Sequence, residues 1–347
     1  MLKITGRRLL AQPGYDPRIS DDDWPPELRA LFASAITVEY ASLTRSGSPV
    51  TVPVTPYVGP DRTIDLSTGL TYPAKAERAR RNPVVCLLFA DPLSPGQADA
   101  PVAVVQGHAA VRDADLQANT DRYVRVSVAK LPEATKGQPK FVLRHMAFYY
   151  ARIWVEITPV RIRWWADRSL AGQPGEWQAP AGTALPESDP APRGSDPPAW
   201  RDPPADWRPL TERALADLPL ADLTTVDGEG VPVCVPVSPG DLTADAVELK
   251  IGDGAPGLME GPACLTLHGH PAQFTGQENH TLIGRFEQTD GSPRFVVERA
   301  LADWSLAGNR ARSAMSFLAA RRTLGPRLAA EAARRGQPVP KVRFHVS

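Results

Sequence analysis

Ser67, Thr68, Lys75, Arg78 and Arg81 fall within one short stretch, STGLTYPAKAERARRNP, which runs from Ser67 to Pro83. Two hydroxyls, a glycine turn and a lysine gather at what reads as a helix start. Such a start offers unpaired N–H groups and the positive end of the helix dipole. The chemistry that suits this combination is anion binding, and a phosphate fits it. Pro73 suits the first helical position, where a missing N–H costs nothing, and Pro83 marks the stop. A basic run of this kind is also what a solvated helix face looks like. The charge pattern alone leaves both readings open.

These residues need strands to hold them. Val50, Val52 and Val54 alternate with Thr51, Pro53 and Thr55, the period of a half-buried strand. Pro49 and Pro53 mark it as an edge or bulged strand, since proline cannot donate to a ladder. Gly59 to Arg62 is a turn, Thr63 to Ser67 a return strand, and Val84 to Phe89 a continuous apolar run that reads as a buried strand. Upstream, Leu28, Leu31 and Phe32 make one apolar helix face, and Ile36 to Leu43 a first strand that turns at Arg45-Ser46-Gly47-Ser48. Met1 to Asp21 reads as an irregular arm. Downstream come a strand over Pro101 to Val111, with a bulge permitted at Gly107, and a helix over Asp113 to Val128. A long alternating strand over Ala151 to Trp165 follows, interrupted at Pro159.

The order of these pieces resembles the pyridoxamine-phosphate-oxidase-like superfamily of flavin and deazaflavin split β-barrels. The motifs that carry the resemblance are a strand ending in Pro-Val, a return strand ending in Ser-Thr-Gly, and a Lys with an Arg-rich turn before Asn82-Pro83 and an apolar strand. They cover about Trp24 to Trp165. The resemblance implies a mainly β fold, the FMN-binding split β-barrel. It implies that Thr51, Val54 and Thr55 line a cofactor ring and that Gln106 reaches the cofactor phosphate. It also gives Ser67, Thr68 and Lys75 the phosphate, with Arg78 or Arg81 helping.

The second half repeats the first. Val235-Pro236-Val237-Ser238-Pro239 parallels Val52-Pro53-Val54-Thr55-Pro56, and Asp227-Gly228 supplies the hairpin turn. Gly261 to Leu265 parallels Asn82 to Leu87, and Ile283-Gly284 parallels Gln106-Gly107. The basic helix has no counterpart, because only Ala255 to Glu260 stands in its place. The expected organisation is a cofactor-binding barrel over 1–167 and a Pro-rich linker over 168–208. A degenerate second barrel follows over 209–310, and a basic helical tail over 311–347.

Composition sets the bounds. The 347 residues carry 39 Lys plus Arg against 39 Asp plus Glu, so charge points to neither nucleic acid nor membrane. The 37 prolines are about twice ordinary usage and favour short elements. Cys86, Cys234 and Cys264 are odd in number and form no metal-type pair, which fits buried thiols and a cytoplasmic setting. His268, His270 and His280 lie near Cys264 and could approach a metal or a haem. No CxxC or HExxH sharpens that, and no metal is expected.

The resulting expectation is an oxidoreductase that passes a hydride between its cofactor and a small organic substrate. FMN is the first cofactor. F420 is the alternative, its polyglutamate tail suiting a groove lined by Arg78, Arg80 and Arg81, and haem ranks last. The two barrels would form a pseudo-dimer within one chain, a homodimer being the other arrangement. From other classes come a non-catalytic protein that sequesters the cofactor and a structural barrel with none.

Overall fold

The structure, a computed structural model, describes residues 24–94, 99–135, 139–195, 202–271, 274, 276–289, 292–301, 304–305 and 310–344. The expected arm over Met1 to Asp21 lies outside them.

The first half begins with α1 (Pro26–Ser34), whose Leu28, Leu31 and Phe32 are buried as their spacing predicts. It continues with β1 (Val38–Leu43), β2 (Pro49–Val54), β3 (Tyr57–Val58), β4 (Ile64–Gly69), α2 (Ala74–Arg81), β5 (Val84–Phe89) and β6 (Val102–Arg112). Then come α3 (Leu116–Lys130), the short α4 (Pro132–Thr135), α5 (Lys140–Arg144) and α6 (Ala147–Tyr150), and β7 (Arg152–Trp165). Asp115 caps α3 by accepting from the Ala118 N–H at 2.9 Å. The antiparallel sheet runs β2-β1-β5-β6-β7-β4-β3, so β2 is an edge strand, as its prolines require.

Residues 168–195 do not remain wholly irregular. Gly175–Gln178 forms β8 on the edge of β7, and Trp177 packs against the first core. Ser188 and Asp189 then hydrogen-bond the Val111, Asp113 and Ala114 backbone.

The second half holds α7 (Arg208–Asp217), β9 (Leu220–Val226), β10 (Pro232–Leu242), β11 (Ala246–Lys250), β12 (Gly261–Gly269), β13 (Glu278–Thr289), β14 (Ser292–Ala300), β15 (Trp304–Ser305) and α8 (Arg310–Arg334). Its order is β12-β9-β10-β11-β14-β13, and β12 also pairs with β13, which closes the barrel.

Register establishes the internal repeat. Val38 pairs with Val54 and Leu43 with Pro49. At the matching places Ala221 pairs with Val237 and Val226 with Pro232. Both copies carry a bulge at the same glycine: the ladder shifts between Gln106 and Gly107 in one and between Ile283 and Gly284 in the other. A Cβ at Gly107 would strike Thr158 O, and one at Gly284 would strike Val296 O, so neither position accepts a side chain without movement.

The copies differ at one seam. In the second, β10 runs unbroken through Ser238 and Pro239, which pair with Lys250 and Leu249 of β11. In the first, β2 ends at Val54 and β3 starts at Tyr57, leaving Thr55-Pro56 outside the ladder.

The halves share a core. Ala41, Cys86, Leu88, Val102 and Val104 of the first pack with Leu223, Val235, Leu265 and Phe286 of the second. Trp165 joins this shared core. Leu324, Leu328 and Ala332 of α8 return to the first core, among Ala76 and Ala79 of α2. The side chains of Met315, Leu318 and Ala319, part of the apolar face expected of the tail, lie outside the described residues.

Candidate functional site

The β4–α2 connection builds the site. Ser67-Thr68-Gly69 ends β4, and Gly69 pairs with Arg152 at the start of β7. The Thr68 hydroxyl donates to Tyr72 O at 2.9 Å, and the Tyr72 N–H to Gly69 O at 2.8 Å, which closes the turn. Pro73 then begins α2 with no side-chain cap on its first N–H groups. Ala76 and Ala79 face the core. That leaves Lys75 and Arg78, three apart, as neighbours on the helix surface.

Lys75, Arg78 and Arg152 form a cluster of positive charge. Burial, then Arg78, then Arg152 push the Lys75 amine down to about 8. Burial also lowers Arg78, whose Nε donates to the Ser42 hydroxyl at 2.9 Å. The Arg152 guanidinium lies 4.0 Å from the Tyr123 ring centre and 4.8 Å from that of Tyr149. It donates to the Tyr123 hydroxyl at 2.9 Å, while its Nε is buried with no acceptor. Among the described residues no carboxylate pairs with any of the three.

Neighbouring arginines behave otherwise. Arg80 is bound to Asp113 at 2.8 Å and Arg335 to Glu77 at 2.8 Å; Arg112 is bound to Glu156 at 2.7 Å. A partly desolvated cation cluster without a counter-charge is costly unless an anion completes it.

Neither comparison by sequence finds a relative: no family model matches and no curated protein matches. Solved structures do match. An F420 reductase is 12% identical, covering 39% of this chain and 94% of its own at a TM-score of 0.30. A pyridoxamine 5'-phosphate oxidase-related, FMN-binding protein from Nostoc punctiforme is 16% identical, covering 43% and 81% at 0.29. A haem-binding protein from Mycobacterium smegmatis is 13% identical, covering 86% and 96% at 0.32. The strand order, with a bulged sixth strand and a helix after the fourth, decides the architecture. The fold is a split β-barrel, mainly β with short helices.

Within that barrel the expected site residues divide. Ser67 is half-buried on β4, and Thr68 spends its hydroxyl on the turn. Arg81 is exposed at the end of α2. Val54 and Thr55 are half-buried at the open seam, where a strand irregularity was expected.

Thr51 is different. It is fully buried between the halves, its hydroxyl 2.6 Å from that of Thr224. Its N–H donates to Cys264 Sγ at 3.4 Å, and its carbonyl accepts from the Thr266 hydroxyl at 3.2 Å. Its side chain lies in the contact between the halves.

Gln106 also departs from expectation. Its amide donates to Asp227 Oδ2 and Pro232 O, both at 3.4 Å, so its contacts run to the second hairpin and none is with the cation cluster. Arg80 is paired with Asp113 at 2.8 Å.

Sequence reasoning missed Arg152 and Ser42. Alternation with the inward Ile153 marks Arg152 as outward-facing. Only the β4–β7 pairing, however, brings it beside Gly69.

The matching place in the second split barrel has no such cluster. Between Lys250 and Arg285 the sequence has neither Lys nor Arg. The Gly254 N–H donates instead to Leu170 O at 3.0 Å.

The histidines that suggested haem are occupied. His268 lies against Glu39 and Asp222, and His270 Nε2 is 2.6 Å from Asp91. His280 Nε2 is 3.1 Å from the Thr211 hydroxyl. Haem ligation by this group would break buried polar pairs. All three cysteines are buried and free, and burial pushes the Cys86 thiol up to about 12, which leaves it inert.

Proposed function

We propose that the first split barrel binds the phosphate of a flavin or deazaflavin nucleotide at Lys75, Arg78 and Arg152. FMN is the first candidate and F420 the alternative. The observation that carries this reading is the uncompensated charge of those three side chains beside the uncapped start of α2. A phosphate dianion supplies the missing counter-charge and accepts from exposed helix N–H groups. The compact cluster suits a single phosphate. With Arg80 tied to Asp113, an extended basic groove for a polyglutamate tail loses a member, which keeps FMN ahead.

The ring would lie toward the open seam at Val54 and Thr55, where backbone groups have left the ladder. The cofactor, when bound, supplies hydride chemistry, and the protein's part is to hold and orient it. The proposed activity is oxidoreduction of a small organic substrate.

The test is titration of FMN and F420 separately into the full-length protein, with absorbance and calorimetry. Lys75→Ala and Arg152→Ala should each weaken binding at least tenfold, as expected for lost charge-assisted hydrogen bonds of about 1.5–3 kcal/mol. Unchanged affinity in both variants would sink the phosphate assignment. Binding without substrate-dependent oxidation of the reduced cofactor would assign the protein to sequestration.

A further inference from the structure

Away from the cation cluster, the two halves meet at a second group of buried polar side chains. Glu39 comes from β1, Asp222 from β9 and His268 from β12. Glu39 and Asp222 occupy matching places in the two copies: Glu39 pairs with Pro53, and Asp222 with Pro236. All three residues are fully buried. His268 Nε2 is 2.9 Å from Glu39 Oε1 and 3.0 Å from Asp222 Oδ2.

One Nε2 proton cannot serve both carboxylates. The hydrogen bond assigned to this nitrogen runs to Asp222, and neither Glu39 oxygen has a partner other than His268 among the described residues. Burial accordingly pushes the Glu39 carboxyl up. A carboxyl buried in a water-excluded core is costly unless it stays neutral or meets a cation.

The geometry points to a divalent cation site formed by Glu39, Asp222 and His268, bridging the two barrels. The three candidate ligand atoms lie within 4.8 Å of one another. Neighbouring ligands of a cation bound at about 2.1 Å in octahedral geometry stand about 3 Å apart, the spacing from His268 Nε2 to each carboxylate here. Glu39 Oε2, also without a partner, supplies a fourth donor. Two carboxylates and an imidazole suit Zn²⁺, Mn²⁺ or Fe²⁺.

The surroundings behave as an outer shell. Arg168 Nη2 is 3.3 Å from Asp222 Oδ1, the oxygen not turned to His268, and also reaches Ala221 O at 3.3 Å. That fixes the ligand's orientation. The His270–Asp91 pair, 2.6 Å apart, is the next titratable pair outward.

The experiment uses the full-length protein, stripped with chelator and dialysed. Zn²⁺ and Mn²⁺ are titrated separately by calorimetry. The expected result is one equivalent bound by at least one of them. Glu39→Gln and His268→Gln should weaken it a hundredfold or more, and Arg168→Met about tenfold. Binding undiminished in folded Glu39→Gln and His268→Gln proteins would overturn the site. So would wild-type His268 ring signals, followed by nitrogen-15 NMR, that neither shift in excess Zn²⁺ nor broaden in excess Mn²⁺. The NMR measurement decides even if the variants do not fold.

Discussion

Arg335, just beyond α8, donates to Glu77 of α2 at 2.8 Å, so the end of the second half grips the helix that carries Lys75 and Arg78. The same guanidinium reaches Asp113 at 2.8 Å and Glu331 at 2.7 Å, and its side chain is 2% exposed. Arg80 meets Asp113 as well, so the network ties α2, the β6–α3 turn and α8 together. Removing one member of a buried ion network leaves the others uncompensated, which costs about 3–5 kcal/mol. Arg335→Met should therefore destabilise the protein by roughly that amount in denaturant melts. It should also weaken nucleotide binding, because α2 loses its outer support. A melt within error of wild type would show that the network contributes nothing to stability.

The cation cluster also sets a pH dependence. The Lys75 amine titrates near 8 because burial and the two arginines disfavour its charge. Folding thus costs this group its proton between that value and its ordinary one, so its penalty on stability applies below about 8 and fades as pH rises toward 10.5. Phosphate binding reverses the preference, since the anion favours the charged amine. Nucleotide affinity should fall as pH passes through about 8, and Lys75→Arg, permanently charged, should flatten the fall. An identical pH profile for the wild type and Lys75→Arg would remove Lys75 from the site.

Thr51 separates domain contact from cofactor contact. Its hydroxyl is 2.6 Å from that of Thr224 across the shared core. Thr51→Val keeps the shape and leaves the Thr224 hydroxyl to find another partner, at a cost of about 1–3 kcal/mol. The variant should melt earlier while binding FMN as the wild type does. A tenfold loss of FMN affinity with unchanged stability would return Thr51 to the ring.

Local pattern made much of this legible in advance. The Pro-Val-x-Pro echo located both β2 and β10. The paired Gly107 and Gly284 marked the same bulge twice, because a close backbone approach admits only glycine. Lys75 stood out because a hydroxyl turn, a proline and a basic helix are consecutive. What sequence did not reveal depends on pairing between distant strands and helices. Arg152 joins the cluster only through the β4–β7 ladder, Gln106 is drawn away by a hairpin in the other half, and Arg80 is claimed by Asp113. Glu39, Asp222 and His268 carry no spacing signal, since three strands from two copies bring them together.

The unequal repeat fixes the stoichiometry expected. If the first barrel holds a nucleotide as proposed, two matching barrels packed on one another would offer two places for one. Only one has α2, Lys75, Arg78 and Arg152, while the other has a short connection whose Gly254 leans on Leu170. No Lys or Arg lies between Lys250 and Arg285 to replace the lost charge. Titration should therefore saturate at one nucleotide per chain. Lys75→Ala/Arg152→Ala should abolish that single event without exposing a weaker second one. Two equivalents in the wild type, with one surviving in the double variant, would mean that the second barrel holds a nucleotide by contacts other than a phosphate cluster.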